Sequence, residues 1–417
     1  MTLDSRLRSN IISLYLVQGL NYLVSFVTFP FLARTLGAEG FGVMNYAFAA
    51  IQYGVLFTDF GFNLSATREV AVVRDDPRAA AAVFWRTTWA KTGLMLASFL
   101  ALLPCTFAIP QWQMNAPVFL ASLVYIVSSV FFPIWWFQGF EEMRFASFLT
   151  VIARALMLGF LILWVSGPQD VVLAVLLQAA PAMLAGVLWW ASGWGVARPQ
   201  WVKPGRAEIV TSLKASWPLF LSSVATNLYT TSTTVLLGFF APAAEVGFFA
   251  AANKLTYTAQ GLIGPLVQAT YPRIAQLAVH DRKGALALIN KSFSAQGGVG
   301  LLLTVILAAG APWIVPLLLG KGMAGAVSAQ MWLAAVILIG ALSFVYGLQT
   351  LLPFGEERYY SRVLVIAGFL NVGLLFVCLP LANTAVTAAQ VVVAVEAYIL
   401  AAFWWRARKI HREIAQS

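Results

Sequence analysis

Twelve apolar stretches, each long enough to cross a bilayer, follow one another along this chain. The short polar connectors between them alternate between Lys/Arg-rich and nearly charge-free. An apolar run of about 20 residues spans the ~30 Å hydrocarbon core as a helix. In lipid each backbone group must be paired within its own segment, so helices are the default. The stretches lie near 11–33, 43–62, 87–107, 117–138, 147–166, 171–192, 215–239, 247–272, 292–318, 326–351, 363–382 and 386–405.

Connector charge sets orientation through the positive-inside rule. With the N-terminus inside, 22 of the 26 basic residues fall on the inner side, among them Arg68, Arg74, Arg78, Arg86 and Lys91. The outer side keeps Arg34 and Lys321, while Arg154 and Lys254 lie within stretches. One missed or extra helix would scramble that asymmetry, so it supports twelve spans with both termini cytoplasmic. At 60% hydrophobic and 10% charged content, the chain is far from the soluble average of roughly 25% charged. Its basic balance reflects topology and anionic inner-leaflet lipids, and needs no nucleic acid. The first stretch follows Arg6 and Arg8 like a signal peptide, but it is too long and no small-residue cleavage pattern follows it, so it reads as a span. Cys105 and Cys378 are too few for a disulfide framework and read as packing residues.

Boundary chemistry agrees. Asp76-Pro77 offers a capping residue and an N1 proline before the third span, and Asn115-Ala116-Pro117 predicts the same before the fourth. Gly167-Pro168 predicts a turn between the fifth and sixth. Only the connectors near 63–86 and 193–214 have room for interfacial helices. The halves around the second of these look related. Phe31-Leu-Ala-Arg-Thr-Leu-Gly-Ala-Glu-Gly-Phe-Gly42 and Leu237-Gly-Phe-Phe-Ala-Pro-Ala-Ala-Glu-Val-Gly-Phe248 both place a small-residue bend, Ala-Glu and Gly-Phe between two spans. Glu39 and Glu245 stand 206 residues apart. The expected architecture is an all-α integral membrane fold of about twelve transmembrane helices. These form two six-helix bundles, 1–205 and 206–417, related by a pseudo-two-fold axis along the membrane normal, with the substrate path between them.

Ionisable groups at membrane depth are functional candidates, because each is costly unless paired or hydrated. Lys254 lies about seven residues into the eighth span, followed at helical spacing by Tyr257, Thr258, Gly261, Pro265 and Gln268. That stripe should face protein or water. Its ammonium suits an anionic group such as a phosphate, or a structural ion pair with Glu245 or another acid. Asp59 completes the stripe Asn45–Gln52–Asp59 on one face of the second span, where it reads as an ion-coupling group or as a solvated carboxylate capping the following bend. Arg34 ends the first span inside the repeated hinge, either contacting substrate or snorkelling. Arg154 reads as a snorkelling residue, and Glu396 lies mid-span in the twelfth helix as an ion-coupling candidate or a hydrogen-bonding partner. Gln18, Asn21, Ser25 and Thr28 precede an expected kink at Pro30. Ser223, Asn227, Thr230, Thr231 and Thr234 stripe the corresponding seventh span. Both stripes suit a wet cavity or, alternatively, interhelical hydrogen bonds. Asp59-Phe60-Gly61 spells a kinase triplet without the other kinase elements. Gly-rich phosphate loops and metal-ligand spacings are absent, so neither cofactor nor metal is expected.

The runs Leu14-Tyr-Leu-Val-Gln-Gly-Leu-Asn-Tyr22, Phe29-Pro-Phe-Leu-Ala-Arg-Thr-Leu-Gly37 and Phe57-Thr-Asp-Phe-Gly-Phe-Asn-Leu-Ser-Ala-Thr-Arg-Glu-Val-Ala71 resemble the bacterial O-antigen flippases. Ala250-Ala-Ala-Asn-Lys-Leu255 and Tyr271-Pro-Arg-Ile274 add to the likeness. These polysaccharide transporters share a superfamily with lipid II flippases and multidrug/toxin extruders, which implies a MATE-like fold. The resemblance implies carriage of undecaprenyl-pyrophosphate-linked oligosaccharide from the inner to the outer leaflet of the bacterial cytoplasmic membrane, without ATP. Arg34 and Lys254 match basic positions facing the head group, and other polysaccharide-assembly membrane proteins become expected partners. A cation extruder is the nearest rival and would want an acidic cavity. An O-antigen polymerase or glycosyltransferase would need acid/base groups outside the membrane, where the connectors hold only Arg34, Glu39, Asp170, Glu245 and Lys321.

Overall fold

The computed structural model describes residues 5–192 and 198–416, with side chains over 24–192 and 198–414. Every regular element among the described residues is helical. Helix starts follow the local chemistry. The Asp76 carboxylate accepts from the backbone N–H groups of Arg78 at 2.9 Å and Ala79 at 3.1 Å, with Pro77 opening the helix Pro77–Ala108. Asp281 accepts from Gly284 N–H at 2.9 Å at the head of Arg282–Leu319. The cap expected at Asn115 differs: its side chain makes no capping bond, and its carbonyl accepts from Val118 N–H at 2.9 Å instead. The Gly167-Pro168 turn is present, with the Asp170 carboxylate bonded to the N–H groups of Ser166 and Gly167 at 2.8 and 3.1 Å.

Each of the twelve expected spans coincides with helix, although eight helices among the described residues are individually long and apolar enough to cross a membrane. A ninth appears if the pair Pro168–Ala179 and Pro181–Ser192, bent by 40°, is one span. The shortfall has two causes. The first two spans merge into one helical run through Val24–Val73, and the seventh and eighth carry polar stripes that lower their hydropathy. The interruption within the first long helix, Ser5–Asp59, is at Gly37 (φ 67°), seven residues beyond Pro30, which stays helical. Of the two connectors with room for interfacial helices, the first holds the helix Phe62–Val73, while 193–197 lie outside the described residues.

The chain forms two compact units. The first comprises 1–36 and 47–224. Its core near the Arg-rich connectors is aromatic: Phe84, Trp135, Trp136, Phe137 and Trp189 are all buried together. Phe84 meets Trp136 edge-on at 5.0 Å and Phe137 meets Trp189 at 5.3 Å, geometries that favour aromatic pairs beyond simple area burial.

The second unit comprises Gly37–Tyr46 and 225–417. Its packing shows what the two hinge segments touch. A Cβ on Gly42 would overlap the Ala243 carbonyl, and one on Gly247 would overlap the Ala38 carbonyl. A Cβ on Gly238 would in turn overlap the Tyr46 ring, which packs edge-on against Phe239 at 5.9 Å. The contacts 42-to-243 and 38-to-247 bring the two hinge segments together at one helix crossing. Small residues four apart on two helices permit this close backbone approach, which drives helix association in lipid. The Glu245 carboxylate accepts from Ala385 N–H at 2.6 Å, capping the helix that ends the chain.

Candidate functional site

In the first unit the polar centre is built at a bend. The helix Ser5–Asp59 stops where Phe60 and Gly61 both adopt positive φ, 48° and 79°. Gly61 is obligatory there on two counts: its conformation is left-handed, and a Cβ would stand 2.8 Å from Leu219 Cβ. Phe60 tolerates the unusual conformation because its ring stacks on Phe220 at 4.5 Å and 12°. Thus Asp59-Phe60-Gly61, meaningless as a kinase triplet, is a structural corner. It delivers the Asp59 carboxylate to Lys91, whose ammonium donates to Asp59 Oδ1 at 3.0 Å and to the Ser129 carbonyl at 3.2 Å. Lys91 is 3% exposed, so counting it with the solvated inner connector is corrected: burial inside Pro77–Ala108 makes it an internal counter-ion. The same contact replaces the solvated-carboxylate reading of Asp59. Beside it the Thr58 and Ser98 hydroxyls hydrogen-bond at 3.2 Å, and Ser98 donates onward to the Gly54 carbonyl. Gln52 is half-buried on the approach to this corner.

In the second unit, the helices Ala243–Gln260 and Gly264–His280 have two polar faces with different fates. Thr256 and Thr270 point inward. Gln330 Nε2 donates to the Thr256 hydroxyl at 3.1 Å, Gln349 Nε2 to the Thr270 hydroxyl at 2.8 Å, and Gln296 Nε2 to Gln349 Oε1 at 3.1 Å. Gln349 lies on a π-helical stretch, Phe344–Leu351, a geometry that shifts side-chain register within a helix. Lys254, Tyr257, Thr258, Gly261, Pro265 and Gln268 are all exposed, so the stripe read from the sequence is one continuous surface. A 3₁₀ turn over Gly261–Ile263 joins its two halves, where Gly264 and Pro265 restart the helix. The Thr258 hydroxyl donates to the Lys254 carbonyl at 2.7 Å.

The seventh span breaks within its own stripe. Arg206–Thr230 gives way at Thr231 to Ser232–Phe240. Thr231 Oγ1 donates to Asn227 Oδ1 at 3.3 Å across the break. Just before it, the Tyr229 hydroxyl donates to Glu396, which is 7% exposed. Just after it, Asn371 Nδ2 donates to the Ser232 and Thr233 hydroxyls at 3.0 and 3.1 Å. Asn371 escaped the sequence reading, although a lone amide in the apolar helix Glu357–Cys378 was a usable signal.

Of the remaining candidates, Arg34 is exposed, as is Ser25. Thr28 is buried and returns its hydroxyl to the Val24 carbonyl at 2.7 Å. Gln18 and Asn21 lie outside the residues whose side chains are described. Among the described residues no cluster of His, Cys, Asp and Glu could hold a metal ion. The chemistry available is therefore recognition: one cationic polar surface, an internally neutralised ion pair, and a buried carboxyl beside a helix break.

The model of a family described as polysaccharide biosynthesis protein matches residues 7–278. A relative from Escherichia coli (strain K12), carrying the name "Putative O-antigen transporter", is 32% identical over 375 residues, 89% of each chain. A relative of the same name from Shigella dysenteriae is 29% identical, covering 88% of this chain and 91% of its own. Among solved structures, an inward-facing multidrug resistance MATE family transporter of the MOP superfamily superposes with TM-score 0.73 at 15% identity, covering 95% of each chain. The lipid II flippase MurJ in an inward closed conformation superposes with TM-score 0.70 at 11% identity, covering 95% of this chain and 87% of that one. At these identities the likeness establishes the fold, which is the all-helical MATE-like membrane fold.

Proposed function

The chain belongs to the polysaccharide biosynthesis protein family, and from that membership we propose that it is a transporter. Its cargo is undecaprenyl-pyrophosphate-linked oligosaccharide, moved from the cytoplasmic to the periplasmic leaflet of the bacterial inner membrane. The observation that carries this reading is the exposed polar face Lys254–Tyr257–Thr258–Gln268. Sugar hydroxyls each cost a few kcal/mol to bring unpaired into hydrocarbon, so the head group needs such a surface, while the polyprenyl tail stays in lipid. Lys254 in the second unit and Arg34 in the first each offer a cation to the pyrophosphate, and Gln52, Asn227, Thr231, Tyr257 and Gln268 offer donors and acceptors to sugar, as do Gln18 and Asn21.

Alternating access follows from rocking of the two six-helix halves, 1–205 and 206–417, with both termini cytoplasmic. Outward movement of the pyrophosphate runs down the membrane potential at ~2.3 kcal/mol per charge per 100 mV. Glu396 is the better-placed ion-coupling group, since Asp59 already has an ammonium counter-charge. Deleting the gene and quantifying the lipid-linked oligosaccharide in each leaflet tests the proposal. Completed repeat units accumulating on the cytoplasmic side support it, whereas translocated but unpolymerised units would indicate an enzyme. In proteoliposomes, normal flipping by a Lys254→Ala, Arg34→Ala double variant would refute the charge-recognition step.

A further inference from the structure

The first unit contains a groove of about 670 Å³ that the transport reading does not use. Its floor is the interfacial helix Phe62–Val73, and its walls come from the start of Pro77–Ala108 and from Ala215 and Leu219. Leu64, Arg68 and Val72 lie one turn apart on the outward face of that helix, with Leu64 64% and Val72 80% exposed. Large apolar side chains flanking an arginine at four-residue spacing form a surface suited to the head-group boundary of a bilayer. Arg86 lines the same groove. It is ion-paired with Glu69, yet its Nε–H is buried without an acceptor among the described residues. Arg68 makes no salt bridge among them.

We propose that this groove binds one anionic phospholipid. Its phosphodiester sits at Arg68 beside the Arg86 guanidinium, whose buried Nε–H lacks an acceptor, and an acyl chain follows Leu64, Val72 and Leu219. Two observations carry the assignment. The groove combines apolar walls with a few convergent donors, at a volume usual for small-molecule sites. Its lining holds two arginines and one carboxylate, a surplus of one positive charge, which a single phosphodiester neutralises. A diphosphate would leave a negative surplus, so the carrier lipid of the transport reading is not the occupant. The groove lies on the side that the basic connectors mark as cytoplasmic, where anionic lipid is concentrated. The site does not depend on the identity of the transported substrate.

The test is thermal unfolding of the full-length protein in nanodiscs of phosphatidylcholine with rising fractions of phosphatidylglycerol. The unfolding midpoint should rise saturably. Arg68→Gln should need about tenfold more phosphatidylglycerol for the half-maximal shift, as expected for one lost charge-assisted contact. Val72→Asp, a change at an exposed position, should abolish the shift and serves if Arg68→Gln folds poorly. Arg408→Gln, at an exposed arginine far along the sequence, should titrate like the parent. A parent-like titration of both groove variants would overturn the proposal, as would an equal loss in Arg408→Gln. Stronger stabilisation by a C55 polyprenyl diphosphate than by phosphatidylglycerol, lost in Arg68→Gln, would overturn it in favour of the carrier.

Discussion

Replacing Lys91 by methionine would leave Asp59, half-buried at the end of its helix, with its counter-charge gone. The side chains of Lys91 and Asp59 are 4% and 19% exposed, and their charged atoms stand 3.0 Å apart. At an effective dielectric of about 20, that separation corresponds to ~5 kcal/mol of Coulomb attraction. Desolvation offsets much of it, so the pair's net contribution over an apolar replacement is small. Breaking it from one side is a different matter, costing ~3–5 kcal/mol because an uncompensated charge stays behind. The Ser129 carbonyl would also lose its donor.

The predicted signature is therefore non-additive. Lys91→Met alone should lower unfolding stability by ~3 kcal/mol or more, and Asp59→Asn alone should be harmful because it strands the ammonium. The double variant should return to within ~1–2 kcal/mol of the parent. Reversible unfolding in mixed detergent micelles, followed by tryptophan fluorescence, gives the four corners of the cycle. Single effects that simply add to within ~0.5 kcal/mol would refute the coupling and restore a solvated Asp59.

Two further perturbations probe the second unit with the same unfolding assay. Gly42→Ala and Gly247→Ala each drive a methyl group into a facing carbonyl, and each should cost ~1–3 kcal/mol. Combined, they should cost less than their sum, since one separation of the helices relieves both clashes. Tyr229→Phe removes the hydroxyl that donates to the buried Glu396 and should cost ~1–3 kcal/mol, whereas Glu396→Gln keeps an acceptor and should cost less. Equal losses from the last two would place the stabilisation in packing rather than in that bond.

What could be read in the chain beforehand depended on how local the signal was. The helical segments and the Asp76-Pro77 start are recorded in stretches of a few to twenty residues, so hydropathy and capping chemistry found them. The exposed stripe from Lys254 to Gln268 was equally legible, because helical spacing alone puts those residues on one face. Lys91 was misread for the opposite reason. Only a partner 32 positions away, brought near by the Phe60-Gly61 corner, makes its burial tolerable, and nothing in its own neighbourhood says so. Asn371 is a similar case, with partners 138 and 139 positions back. Thr256 and Thr258 show how fine the distinction becomes: two residues apart on one helix, one is sealed against Gln330 and the other faces outward. The repeated Gly-Phe hinge sits between these extremes. Its letters suggest that two segments are related, but only the folded chain brings Ala38 and Gly42 against Gly247 and Ala243. A glycine at 42 is then a demand made by residue 243, and one at 247 is a demand made by residue 38.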